Sequence, residues 1–235
     1  MTLAAVRRDP EEFLRDYQIA LTECYPRPML PDGPLRRDIH RVLDFRAATK
    51  IVDYKPQTVD HRQLFAASLL EITSEHASSI CLLLLFARLS SATALLRSCI
   101  ESSVRATWIL LVATEENVES ISVERGKDKG WPGLEQMIGA IEAHHKAGGL
   151  LRRIFTETGS LNDFTHGGVM QISQRMAPYI EQDIGSIANR ICLRNAVNAL
   201  ALVTCAFHLK ANDHLAVATL LKSGLEVFAS FETAG

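Results

Sequence analysis

For 69 residues, from position 57 to position 125, the chain contains no glycine and no proline. Glycine costs a helix interior about 1 kcal/mol and proline about 3 kcal/mol, so a stretch this long without either predicts helix. Apolar–polar alternation is missing, and so is any Asn-Gly hairpin signal, which excludes a β-rich fold. The longest apolar run, residues 80–87, falls well short of the ~20 residues needed to span a bilayer, and so does the run 199–203. Residues 1–16 carry early charges and no apolar h-region. The expectation is a cytoplasmic protein with no membrane contact. Cysteine is sparse, odd in number and widely spaced, and no C-x-x-C occurs. Cys81, Cys99, Cys192 and Cys205 lie in apolar helical segments, which suits buried, reduced thiols.

Chemical signatures are also missing. The chain has no G-x-G-x-x-G, no P-loop and no G-x-S-x-G, which disfavours nucleotide-fold enzymes and α/β-hydrolases. It has no H-E-x-x-H, no H-x-x-x-H and no clustered Cys/His set, so no metal and no cofactor is expected. A net charge of −2 and a pI near 6.4 exclude bulk electrostatic binding of duplex DNA. The doublets Arg7-Arg8, Arg36-Arg37 and Arg152-Arg153 are the material for a local basic patch. Two of the three adjoin acids, as solvated surface does.

What is present is helical. Apolar residues make up 47% of the chain and mean hydropathy is +0.06, enough for a real core. Pro10 with Glu11 and Glu12 suits a helix start, with Phe13, Leu14, Tyr17 and Leu21 facing inward. Four prolines and Gly33 make residues 24–34 a loop, and a helix follows over 35–50. The 69-residue stretch cannot be one rod, which would extend on the order of 100 Å. Ser90, Ser91 and Thr114 are the natural restart points, giving helices at 59–88, 90–113 and 115–124. The first is apolar nearly all round near its end, which predicts central burial. Pro132 opens another helix, with a Leu134, Met137, Ile138, Ile141 stripe, ending at His144 and His145. Further helices are expected at 150–158, 171–181 and 184–210, and a last one capped by Asn212 and Asp213. The fold class is all-α, a helical bundle in a single domain. Residues 1–56 form an N-terminal helical extension with its proline-rich loop, and residues 57–235 form the bundle domain.

Two polar constellations stand out. Arg97, Glu101, Arg105 and Trp108, spaced 4, 4 and 3, share one helical face opposite Ala92, Leu96, Ile100 and Val104. Glu101 four residues before Arg105 is the favourable ion-pair order. Three readings stay open: a buried network fixing helix register, solvated surface pairs, or an anion site made by Arg97 and Arg105. Asn162, Asp163, Phe164, Thr165 and His166 then precede Gly167 and Gly168. His166 is a candidate general base, or a histidine held by Asn162 or Glu101 at a helix junction. His76 on the long helix could meet the Arg97 row.

Over roughly residues 63–209 these motifs resemble a family of uncharacterised bacterial all-helical proteins. A more distant similarity is to HEPN domains, helical bundles that include dimeric RNases of toxin and antiviral systems. Their motif is an Arg, a polar residue, and a His about five positions after the Arg. Asn162 and His166 match; position 161 is Leu. The resemblance implies RNA binding or cleavage, in a defence or toxin role. His166 would be the acid or base, with Arg97 and Arg105 supplying the positive charge. The alternative is a non-catalytic oligomerisation or interaction module. The helices at 59–88 and 184–210 carry more apolar circumference than one neighbour covers, so a homodimer is expected. Arg97, Glu101 and Arg105 are expected beside Asn162 and His166, because partly buried arginines need acceptors.

Overall fold

The computed structural model describes residues 33–49, 60–86, 88–123, 130–146, 148–155 and 184–232. The helices expected after Pro10 and at 171–181 lie outside the described residues, as do Asn162, Asp163 and His166. The described helices are α1 (Gly33–Ala48), α2 (His61–Leu85), α3 (Leu89–Leu111), α4 (Glu115–Val123), α5 (Leu134–His145), α6 (Leu150–Ile154), α7 (Ile184–Lys210) and α8 (His214–Glu232). Among the described residues there is no strand, and the fold is all-α.

Local chemistry sets most helix ends. Asp60 accepts from the Arg62 backbone N–H at 2.9 Å and starts α2. Thr114 and Asn117 cap α4 reciprocally, each side chain accepting from the other's backbone N–H at 3.2 and 3.0 Å. Asp213 accepts from Ala216 N–H at 3.0 Å and starts α8. α5 ends at His145, followed by Lys146 in the left-handed region at φ 53°. Glu142 reaches across the turn that follows to accept from the backbone N–H of Arg152 in α6.

Three local expectations are corrected. Ser90 and Ser91 do not restart the helix. Arg88 N–H donates to Leu83 O at 2.7 Å, and Arg88 stands at the cap of α3 with no side-chain cap bond. Pro34 lies inside the first turn of α1, where its missing N–H costs no hydrogen bond. The far end of α2 is not centrally buried. Ile80, Cys81 and Leu84 point inward, but Leu82 and Phe86 are 52% and 53% exposed.

The central position belongs to α3. It packs against α2, α7 and α5, while α1 packs against α2, α7 and α8. From Cys99 to Leu110 every residue of α3 is buried except Glu101 and Arg105. Its polar residues there satisfy themselves locally. Ser103 donates to Ile100 O and Thr107 to Ser103 O, both at 2.8 Å. Small side chains let α2 approach closely. Thr73 and Ser102 hydroxyls lie 2.8 Å apart, and Cys99 Sγ lies 3.6 Å from Thr73 O. α7 joins from the other side, with Cys192 Sγ 3.4 Å from Thr93 Oγ1. The core closes around Ile80, Leu84, Leu96, Ile100, Ile109, Leu193 and Leu200, each contributing roughly 1.5–3 kcal/mol by burial. By length and hydropathy alone, α2 and residues 188–210 of α7 would also suffice to cross a bilayer. In this fold both pack against α3.

Candidate functional site

The Arg97 row is built on α3, the central helix among the described residues, and it divides into two parts. Arg97 Nη2 lies 2.8 Å from Glu101 Oε1, with the two side chains 27% and 25% exposed. Glu101 thus pairs with Arg97. Arg105 places its guanidinium carbon 5.0 Å from the ring centre of Trp131. Trp131 also meets Trp108, ring centres 6.4 Å apart and planes tilted by 53°. Trp108 is only 5% exposed, so this end of the row is a packed joint between α3 and the turn before α5. A cation over an indole face is worth about 0.5–2 kcal/mol, more as water is excluded. The arrangement orders the arginines and ties α3 to its neighbours.

Trp131 escaped the sequence reading. The signal was faint: it is one of two tryptophans and sits between Gly130 and Pro132. Arg62 escaped too, although it is the most committed cation in the described fold. It is 8% exposed. Its Nη1 donates to Ile109 O at 2.5 Å and Ala113 O at 2.6 Å, and its Nη2 to Glu115 Oε1 at 2.5 Å. A guanidinium at the C-terminal end of α3 meets the negative pole of that helix and its otherwise unfilled carbonyls. One side chain therefore joins the start of α2, the end of α3 and the start of α4.

Burial shifts two histidines and four thiols. Desolvation lowers the His76 pKa, with Glu75 acting weakly the other way. Desolvation also lowers that of His145, assisted by His144, whose ring lies 4.8 Å away edge to face. Burial pushes the Cys81 and Cys99 thiols up to about 12, and those of Cys192 and Cys205 to about 11. Such thiols stay protonated at neutral pH and are poor nucleophiles. Among the described residues no three His, Cys, Asp or Glu side chains group as metal ligands.

On α1, Asp38 is buried, with Oδ2 lacking a hydrogen-bond partner. Burial raises its pKa, and Arg190, Arg41 and Arg37 pull it back in that order. Beside it, between α1 and α8, runs an open groove of about 360 Å³ bordered by Arg41, Asp44, Phe45, Ser223 and Glu226. The groove lies away from α3 and its arginine row. The structure thus brings Arg97, Glu101, Arg105 and Trp108 onto one face, while the expected meeting with Asn162, Asp163 and His166 lies outside the described residues.

Comparison with known proteins gives one match. Residues 70–224, which include α3 and the row, match a family of unknown function, DUF6988. No curated protein and no solved structure matches the chain.

Proposed function

The chain belongs to the DUF6988 family of unknown function, and on that premise we propose that it is a non-catalytic helical module that works by self-association. One observation carries this reading. The helix α8 holds its place in the bundle through Leu220 and Val227, yet leaves Leu215, Leu221 and Leu225 in solvent. Large apolar side chains in a row on one exposed helix face are the usual mark of a contact surface. The arginine row fits the same reading. Arg97 is paired with Glu101, and Arg105 is stacked on Trp131, so both guanidinium groups serve to hold α3 in register.

A second reading has its own support. α1 exposes Arg36, Arg37, His40 and Arg41 along one side. That short basic face could contact phosphates, as a HEPN-like protein binding or cleaving RNA in a defence or toxin role would require. The chain's net negative charge weakens it. Two measurements on the purified protein separate the readings. Light scattering gives the mass, which for the module is twice the 26.0 kDa of one chain. Incubation with single-stranded RNA, alongside His166→Ala, reports cleavage. The module leaves the RNA intact. Cleavage abolished in His166→Ala establishes the RNase, and a monomer at tens of micromolar overturns the module.

A further inference from the structure

We propose that the self-association rests on α8, packed antiparallel against α8 of a second copy across a two-fold axis near residue 224. This deepens the reading given above and depends on it. The geometry comes from the exposed face of the helix. Leu215, Leu221 and Leu225 are 79%, 51% and 65% exposed. Ala218, Lys222, Glu226 and Ala229 are exposed on the same side. At 100° per residue, Ala218, Lys222, Leu225 and Ala229 fall within about 60° of one another. Leu221 borders them on one flank and Glu226 on the other.

In an antiparallel two-fold pair each residue meets the one whose number completes a constant sum. Sums of 446–448, within one residue of each other, bring the central part of this face together. Ala218 then meets Ala229 of the second copy, where the small side chains allow close approach. Leu221 and Leu225 interleave with the same pair opposite. Lys222 meets Glu226, and by symmetry Glu226 meets Lys222. Among the described residues neither Lys222 nor Glu226 makes an ion pair within its own chain. Arg41 borders the same groove as Glu226, but its recorded pairing is with Asp38 at 3.5 Å. The charges are therefore self-complementary in the one register that also buries the leucines. Electrostatic matching of this kind selects partner and register more than it adds affinity. A second copy is the occupant that supplies both the apolar strip and the opposite charges.

Charge exchange tests the register. Lys222→Glu places four acids across the axis, and Glu226→Lys places four cations there. Each variant should raise the dimer dissociation constant roughly tenfold or more by sedimentation equilibrium. Mixing the two variants should restore dimers, because each then supplies what the other lacks, and the double exchange should restore them within one chain. Both positions are exposed, so unchanged thermal melts by circular dichroism confirm folding. A wild-type dimer indifferent to both single variants overturns this interface while leaving self-association standing. A wild-type monomer overturns both.

Discussion

The second half of α3 and the whole of α8 are opposite in a way that composition does not suggest. α3 carries Ser102, Ser103 and Thr107 in the deepest part of the molecule, at 4%, 0% and 1% exposure. α8, richer in leucine, leaves three leucines outside. Position in the bundle decides the difference. α3 has neighbours in α2, α5 and α7, and its hydroxyls need no outside partner because they donate to carbonyls of their own helix. Among the described residues α8 packs chiefly on α7 and α1, and Leu215, Leu221 and Leu225 stay exposed. A buried hydroxyl is harmless when satisfied; an exposed leucine row asks for a partner.

The largest expected effect is at the end of α3. Arg62→Ala should destabilise by about 3–4 kcal/mol in urea unfolding, because two helix-end carbonyls lose a charged donor inside the protein. Most of that loss is not the pair with Glu115, which is 79% exposed, so Glu115→Ala should cost under about 1 kcal/mol. Equal losses from the two variants would break the claim that Arg62 acts as a helix cap.

Next comes a direct contrast of the two helices. Ile109→Ala should cost about 3 kcal/mol through the cavity it leaves. Leu225→Ala, measured at concentrations low enough to keep the chain monomeric, should cost within about 0.5 kcal/mol. Comparable costs would mean that α8 is covered by its own chain. Smaller still is the arginine row. Glu101→Ala should cost about 0.5–1 kcal/mol, as suits a partly exposed i,i+4 pair. A loss of several kcal/mol would reinstate the row as a fully buried lock.

The smallest effect is one of pH. Burial raises the Asp38 pKa above its ordinary value of 3.8. The folded state therefore binds that proton more tightly than the unfolded state. The resulting stability is fully present below about pH 3.8 and is lost as pH rises through the folded pKa. Asp38→Asn should flatten that decline, so its stability relative to wild type should grow between about pH 4 and pH 7. A relative loss over the same range would show that the neighbouring arginines, not burial, govern the group.

The helical class and most helix ends were legible because their causes are local. Thr114 lies three residues from Asn117, and Asp213 three from Ala216. The sharing of one face by Arg97, Glu101 and Arg105 was legible for the same reason. Arg62 was not, since its carbonyl acceptors lie 47 and 51 residues away. Trp131 joins Trp108 and Arg105 only once α5 has docked on α3. Nor does hydropathy distinguish a helix wrapped on all sides from one covered on a single face. For that reason the far end of α2 reads as central, while Leu82 and the Phe86 that follows the helix are half exposed. The expected contact surface on α2 keeps Leu64, Ile72, Leu82 and the following Phe86 exposed and stands beside the one proposed on α8.

Two exposed leucine-bearing surfaces thus compete, and one experiment separates them. Light scattering across a dilution series should be run on wild type, on Leu221→Glu/Leu225→Glu in α8, and on Leu82→Glu/Phe86→Glu at the end of α2. The account predicts a mass near twice 26.0 kDa for wild type and the α2 variant, and one chain for the α8 variant. A dimeric α8 variant beside a monomeric α2 variant would contradict it.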